Sequence, residues 1–160
     1  MRVINIIFIV ITVNLINSQS FNLNNKWPHD STSDLVGSPV GLGINSNDEL
    51  VIFHRGDRQW TFPFPSEKIK SNTIAIIDNK SGKILKSFGA NMFIMPHGLE
   101  VDYDDNIWVT DVALHQIFKF NSEGELIFTL GNEAKAGNDN YSFNLPADIT
   151  VLKDGSFYVA

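Results

Sequence analysis

The residues of this chain with chemistry to offer are four histidines, His29, His54, His97 and His115, and one charged run, His54-Arg55-Gly56-Asp57-Arg58. His29 lies in an Asn-rich stretch, where an exposed imidazole is the default. His115 follows Asp111-Val-Ala-Leu114, a setting for a packed or hydrogen-bonded ring. His97 stands between Pro96 and Gly98, where the chain enters an apolar strand. Catalytic zinc usually takes three protein ligands and keeps one open position, so His97 alone cannot hold it and would be one member of a set. Arg55 directly follows the apolar stretch Leu50 to Phe53 and His54. It has two readings: a solvated loop in which arginine pairs with aspartate, or a planar fork held out to grip a carboxylate. Spacing leaves both open.

The elements that must position these residues are strands. Three passages align, Val40 to Phe53, His97 to Thr110 and Ala147 to Ala160, each reading strand, polar turn, strand. The turns Asn47-Asp48, Asp105-Asn106 and Asp154-Gly155 offer residues that tolerate positive φ, which tight hairpins require. After the first two hairpins come further strand pairs, Thr73 to Asp78 with Ile84 to Phe88, and Ile117 to Phe120 with Leu126 to Leu130. Helical spacing is nowhere sustained. Four antiparallel strands in a repeat of roughly 40 to 50 residues describe a propeller blade, and rings close with typically 4 to 8 blades. The expectation is an all-β chain, a partial β-propeller over 40–160 with blades near 40–90 and 91–131 and the start of a third over 144–160, the amino-terminal part of a longer ring. His97 then faces the central channel.

Met1 and Arg2 precede an apolar run from Val3 to Val13, followed by the small polar residues Ser18 and Ser20. That order reads as a secretory signal peptide over 1–20, since the run is short of the ~20 apolar residues a membrane span needs. Residues 21–39 read as a leader laid over the surface. The formal net charge is −6, and removal of Arg2 makes it one unit more negative. With no basic cluster, nucleic acid and anionic membrane drop out as partners, leaving peripheral or no membrane association. The chain has no cysteine, so order in an oxidising compartment must come from an apolar core, metal ions or further parts of the protein. Two sequons, at Asn79 and Asn140, suit that route.

Certain words in the chain are longer than a generic blade requires: Leu50-Val-Ile-Phe-His-Arg-Gly-Asp57, Pro96-His-Gly-Leu99 and Trp108-Val-Thr-Asp-Val-Ala-Leu-His-Gln116, followed by Phe118-Lys119. They resemble the peptidyl-α-hydroxyglycine α-amidating lyase family, from about Val40 to Ala160. Trp108, Val109, Val112 and Leu114 have a packing role at a blade junction as well. The resemblance implies a six-bladed propeller of NHL-repeat type, monomeric when complete and placed in the secretory pathway. Its activity would cleave peptides ending in α-hydroxyglycine into an amidated peptide and glyoxylate, using zinc and a structural calcium ion. It implies His97 as a zinc ligand, Arg55 as the active-site arginine, and the backbone carbonyls of Leu42 and Leu99 as calcium ligands. It also places the catalytic tyrosine, the two other zinc histidines and the calcium aspartate beyond Ala160, so this part alone is expected to be inactive. Asn144 stands where some relatives carry a half-cystine. The rival readings are a non-catalytic secreted NHL propeller that binds peptides or proteins, and a calcium-dependent lactonase-like propeller with acidic channel ligands.

Overall fold

The computed structural model describes Asn22, Asn24, Trp27, Pro28 and residues 30–160; the expected signal peptide and His29 lie outside them. Ten strands dominate the described residues. The first antiparallel sheet contains β1 (Pro39–Ile44), β2 (Glu49–His54), β3 (Ile74–Asp78) and β4 (Ile84–Phe88) in sequential order. The second repeats the order with β5 (Pro96–Val101), β6 (Ile107–Asp111), β7 (Gln116–Phe120) and β8 (Leu126–Leu130). A two-stranded sheet, β9 (Ile149–Val151) with β10 (Phe157–Val159), follows. The fold is an all-β propeller built of four-stranded blades.

Local chemistry turns each hairpin. Asp48, Asp105 and Gly155 take φ of 62°, 60° and 85° at the tips of the three inner hairpins, the left-handed conformation that the twist of a two-strand ribbon needs. Gly82 and Gly124, at φ 68° and 85°, do the same for the outer hairpins.

Side-chain alternation gives each sheet two apolar faces, and these faces become the core. Val51, Phe53, Ile74 and Ile76 of the first blade meet Phe93, Met95, Ile107, Val109 and Phe118 of the second. Phe93 is wholly buried, with its ring 4.9 Å from both Phe53 and Phe118. On the far side of the second blade, Trp108 and Ile117 pack with Ile149 and Val151 of the third. Close approach at the innermost strands depends on missing side chains. A Cβ on Gly41 would sit 2.5 Å from the Leu99 Cβ, and one on Gly43 would sit 2.7 Å from Val101 Cγ2.

The leader is not merely laid over the surface, and the expectation for 21–39 is corrected here. Trp27 and Val36 pack on Ile52, Ala75 and Ile77, the face of the first blade turned away from the second. The four-residue helix α1 (Asp30–Ser33) buries Thr32, whose hydroxyl donates to the Gly82 carbonyl at 2.6 Å. Trp27 Nε1 donates to the Asn79 carbonyl at 3.0 Å. An apolar sheet face requires cover, and Trp27 with Val36 supplies it without any periodic pattern in the sequence.

Asp102 ties three strands of the second blade. Its carboxylate accepts from Trp108 Nε1 at 2.8 Å and from Asn106, and lies 3.2 Å from Lys119 Nζ. Burial alone would raise its pKa, but those hydrogen bonds outweigh burial and hold it at about 2. A carboxyl whose folded pKa lies below its unfolded value stabilises the fold above the unfolded pKa, and that contribution disappears as pH falls through the folded one. Acid unfolding followed by circular dichroism is therefore expected to lose part of the wild-type stability between about pH 4 and pH 2. Asp102→Asn should start less stable at neutral pH and show a shallower loss across that window.

Candidate active site at the junction of two blades

Arg55 and His97 come from different blades, and the Arg55 side chain ends at the carbonyl of the residue before His97. Arg55 follows the end of β2, where its backbone N–H donates to the Ser38 carbonyl at 2.9 Å. Its side chain crosses to the second blade, and Nε donates to the Pro96 carbonyl at 2.8 Å. His97 is the next residue. The terminal nitrogens of Arg55 carry no hydrogen bond among the described residues, and the guanidinium carbon lies 5.0 Å from the centre of the Trp60 ring. Burial lowers the Arg55 pKa, opposed by the nearby Asp111 carboxylate; an arginine stays charged through such a shift. Ion pairs among the described residues join lysines to acids. The internal Arg–Asp pairing considered for the charged run does not occur. Arg58 likewise spends itself on backbone, with Nη1 donating to the Glu67 and Ile94 carbonyls at 2.6 and 2.7 Å.

His97 is half-buried on β5, with Nδ1 2.7 Å from the Ala147 carbonyl. A carbonyl only accepts, so in the neutral ring Nδ1 carries the proton and Nε2 presents a lone pair. This is the arrangement in which metal-binding imidazoles are held, the other nitrogen being fixed by a backbone oxygen. His97 thus fits the chemistry of a zinc ligand. Among the described residues no three His, Cys, Asp or Glu side chains gather closely enough to hold a metal.

His54 and His115 are structural. His54 is buried, burial lowers its pKa, and Nδ1 accepts the Gly56 N–H at 3.1 Å. A neutral ring thereby shapes the turn that launches Arg55. His115 Nδ1 accepts the Leu145 N–H at 3.0 Å.

Leu42 and Leu99 occupy equivalent positions on innermost strands. Asn45 N–H donates to the Glu49 carbonyl and Asp102 N–H to the Asn106 carbonyl. Counting back from these pairs, Leu42 opposite Ile52 and Leu99 opposite Val109 fall on the non-hydrogen-bonded parity. Their carbonyls point away from β2 and β6. The Leu99 side chain is buried and that of Leu42 is exposed. Asn79 and Asn140 are both exposed.

Two contributors are missing from the expected set. Asp111 is fully buried, and its carboxylate accepts four backbone N–H groups: Ile94 and Met95 at 2.7 and 2.8 Å, Ala113 and Leu114 at 2.9 Å each. Burial raises its pKa against the pull of those four bonds. It positions the segment that ends in His97. An aspartate within Trp108 to Gln116 was visible as part of a long word, but nothing local marked it as a clamp. Trp60 is the second; its ring stands edge-on to His97 at 5.9 Å between centres. The aromatic, proline-rich run Trp60-Thr-Phe-Pro-Phe-Pro65 was its signal.

Asp111→Asn keeps the shape but replaces one acceptor oxygen with an N–H₂ group aimed at N–H donors. It is expected to cost about 2 kcal/mol or more in urea unfolding of the full-length protein, against a negligible change for exposed Asp57→Asn.

No protein-family model matches the chain. Curated relatives do. It is 34% identical over 156 residues to peptidyl-alpha-hydroxyglycine alpha-amidating lyase 1 of Drosophila melanogaster, covering 89% of this chain and 28% of that protein. It is 37% identical over 135 residues to the probable lyase pgal-1 of Caenorhabditis elegans, covering 78% and 38%. With peptidyl-glycine alpha-amidating monooxygenase B of Xenopus laevis it shares 42% over 146 residues, covering 84% and 16%. The chain thus spans well under half the length of these relatives. Among solved structures, virginiamycin B lyase from Staphylococcus aureus superposes with a TM-score of 0.51 at 18% identity, covering 76% of this chain and 34% of that one, a likeness of fold. By sequence, the chain belongs to the peptidyl-α-hydroxyglycine α-amidating lyase family.

Proposed function

We propose that the protein acts as a lyase of peptide amidation in the secretory pathway, cleaving peptidyl-α-hydroxyglycine to an amidated peptide and glyoxylate. The observation that carries this is the bond from Arg55 Nε to the Pro96 carbonyl. It fixes an unspent guanidinium edge beside a histidine with a free Nε2, inside words that resemble those of the lyase family. The terminal nitrogens of Arg55 bind the carboxylate of the hydroxyglycine as a planar fork. That contact orients the carbon whose bond to the amide nitrogen breaks. The hydroxyl oxygen becomes the aldehyde oxygen of glyoxylate, the hydroxyl gives up its proton, and the departing amide nitrogen takes one. His97 Nε2 would hold zinc together with ligands outside the described residues; the ion supplies Lewis-acid stabilisation where negative charge develops. The Ala147 carbonyl keeps the ring in the required tautomer.

Calcium at the Leu42 and Leu99 carbonyls would tie the innermost strands of adjacent blades, a structural role. The complete protein is read as a monomer. Secretion and glycosylation at Asn79 and Asn140 complete the reading; their exposure supports it. Among the described residues no helix is long and apolar enough to cross a membrane.

The test is glyoxylate release from an α-hydroxyglycine peptide by the full-length gene product. The expected outcome is chelator-sensitive release, restored by zinc, that falls to background in His97→Ala. Arg55→Ala is expected to lose ~10²-fold or more in kcat/KM, the scale for removing a single charge-stabilising donor. A folded product that releases no glyoxylate with zinc present sinks the reading.

A further inference from the structure

The segment between Arg58 and Ser66 is a loop, yet it gathers three aromatic rings beside the site. Phe64 is anchored against the core between the blades. Trp60 and Phe62 lean on it edge to face, with centres 5.3 and 5.6 Å from its ring. Both are open to solvent, Trp60 at 52% and Phe62 at 80% exposure. One side of the Trp60 indole is engaged by Arg55 and its edge environment by His97. The rest of the Trp60 ring is exposed, as is Phe62 on the same Phe64 anchor. Large rings held in water by an anchored third ring are unfavourable by roughly 25 cal/mol per Å² of apolar surface. Such a patch, adjoining polar groups that converge on a site, marks a place where an apolar group docks.

We infer that Trp60 and Phe62 form an apolar shelf for the peptide substrate, receiving the side chain of the residue that precedes the hydroxyglycine. The inference rests on the lyase reading and adds a substrate class to it: peptides whose new carboxamide is carried by an aromatic or large aliphatic residue. Distance selects that residue. An extended peptide advances at most ~3.3 to 3.6 Å per residue, and the Trp60 ring lies 5.9 Å from the His97 ring. With the hydroxyglycine between Arg55 and His97, the preceding side chain falls on Trp60 and extends toward Phe62. The charged group placed over the Trp60 ring is the Arg55 guanidinium, whose Nε is already committed to the Pro96 carbonyl.

The test uses the full-length protein and a set of acetylated dipeptide amides, the reaction products, with phenylalanine, leucine, serine or aspartate bearing the amide. Their binding is measured by calorimetry; the matching hydroxyglycine peptides are assayed for glyoxylate. Wild type is expected to bind the phenylalanine and leucine amides about tenfold more tightly than the serine amide, with the same ranking carried in KM rather than kcat. Phe62→Ser, at a position too exposed to disturb the core, should narrow the ratio, and Trp60→Ala should bring it close to one with far-ultraviolet circular dichroism unchanged. Equal affinity of wild type for all four amides, or a ratio unchanged in both variants, overturns the shelf and leaves the lyase reading intact. Apolar preference lost in the variants without glyoxylate from wild type keeps the shelf and removes the lyase.

Discussion

The carboxylate of Asp111 is the constraint on which the rest of the site depends. It is an acid with no exposed surface, placed where the apolar faces of two blades meet, and an isolated charge there would cost several kcal/mol. Four backbone N–H groups converge on it. The result is a complete account for the three residues that lead into His97. The N–H groups of Ile94 and Met95 go to Asp111, the Ile94 carbonyl to Arg58, the Met95 carbonyl to the Val112 N–H, and the Pro96 carbonyl to Arg55. Proline at 96 has no N–H to satisfy. A segment that joins a ladder only at Pro96 thus has no unmet backbone group, and it is held from one side by an anion and from the other by two cations.

The blades are brought together by the absence of side chains as much as by their presence. Gly41 and Gly43 let β1 approach β5, and Gly98 does the same for β5 against the third blade, where an added Cβ would lie 2.7 Å from the Ala147 carbonyl. That same carbonyl fixes His97. Close approach and ring orientation are therefore one arrangement: moving the third blade outward would free Nδ1 as well as open the core.

Much of this was legible in the sequence because it is local. Asp48, Asp105 and Gly155 announce their hairpins by their own conformational freedom, and the alternating β-branched and aromatic residues announce the two buried faces. What escaped depends on partners distant in sequence or on backbone atoms. Arg55 reaches a carbonyl 41 residues away, and a carbonyl belongs to every residue type, so no pattern marks it. Trp27 and Val36 cover a sheet face with no periodicity, so 21–39 read as a leader laid over the surface. The aromatic run from Trp60 to Phe64 was plain in composition; that Phe64 anchors while Trp60 and Phe62 stay out follows only from the blade it leans on.

The site's chemistry follows from how its charges are neutralised. Had Arg55 paired directly with Asp57 or Asp111, the carboxylate would have consumed both ends of the fork and left it nothing for a ligand. Instead the anion and the cation are each bound to the backbone that lies between them, Asp111 to its N–H groups and Arg55, through Nε alone, to its carbonyl. The pair still attracts at longer range, which steadies the guanidinium without occupying its terminal nitrogens. His97 follows the same rule, with one nitrogen spent on structure and one unspent. Rigidity and availability, which compete when charged side chains pair with each other, are here separated atom by atom within each side chain.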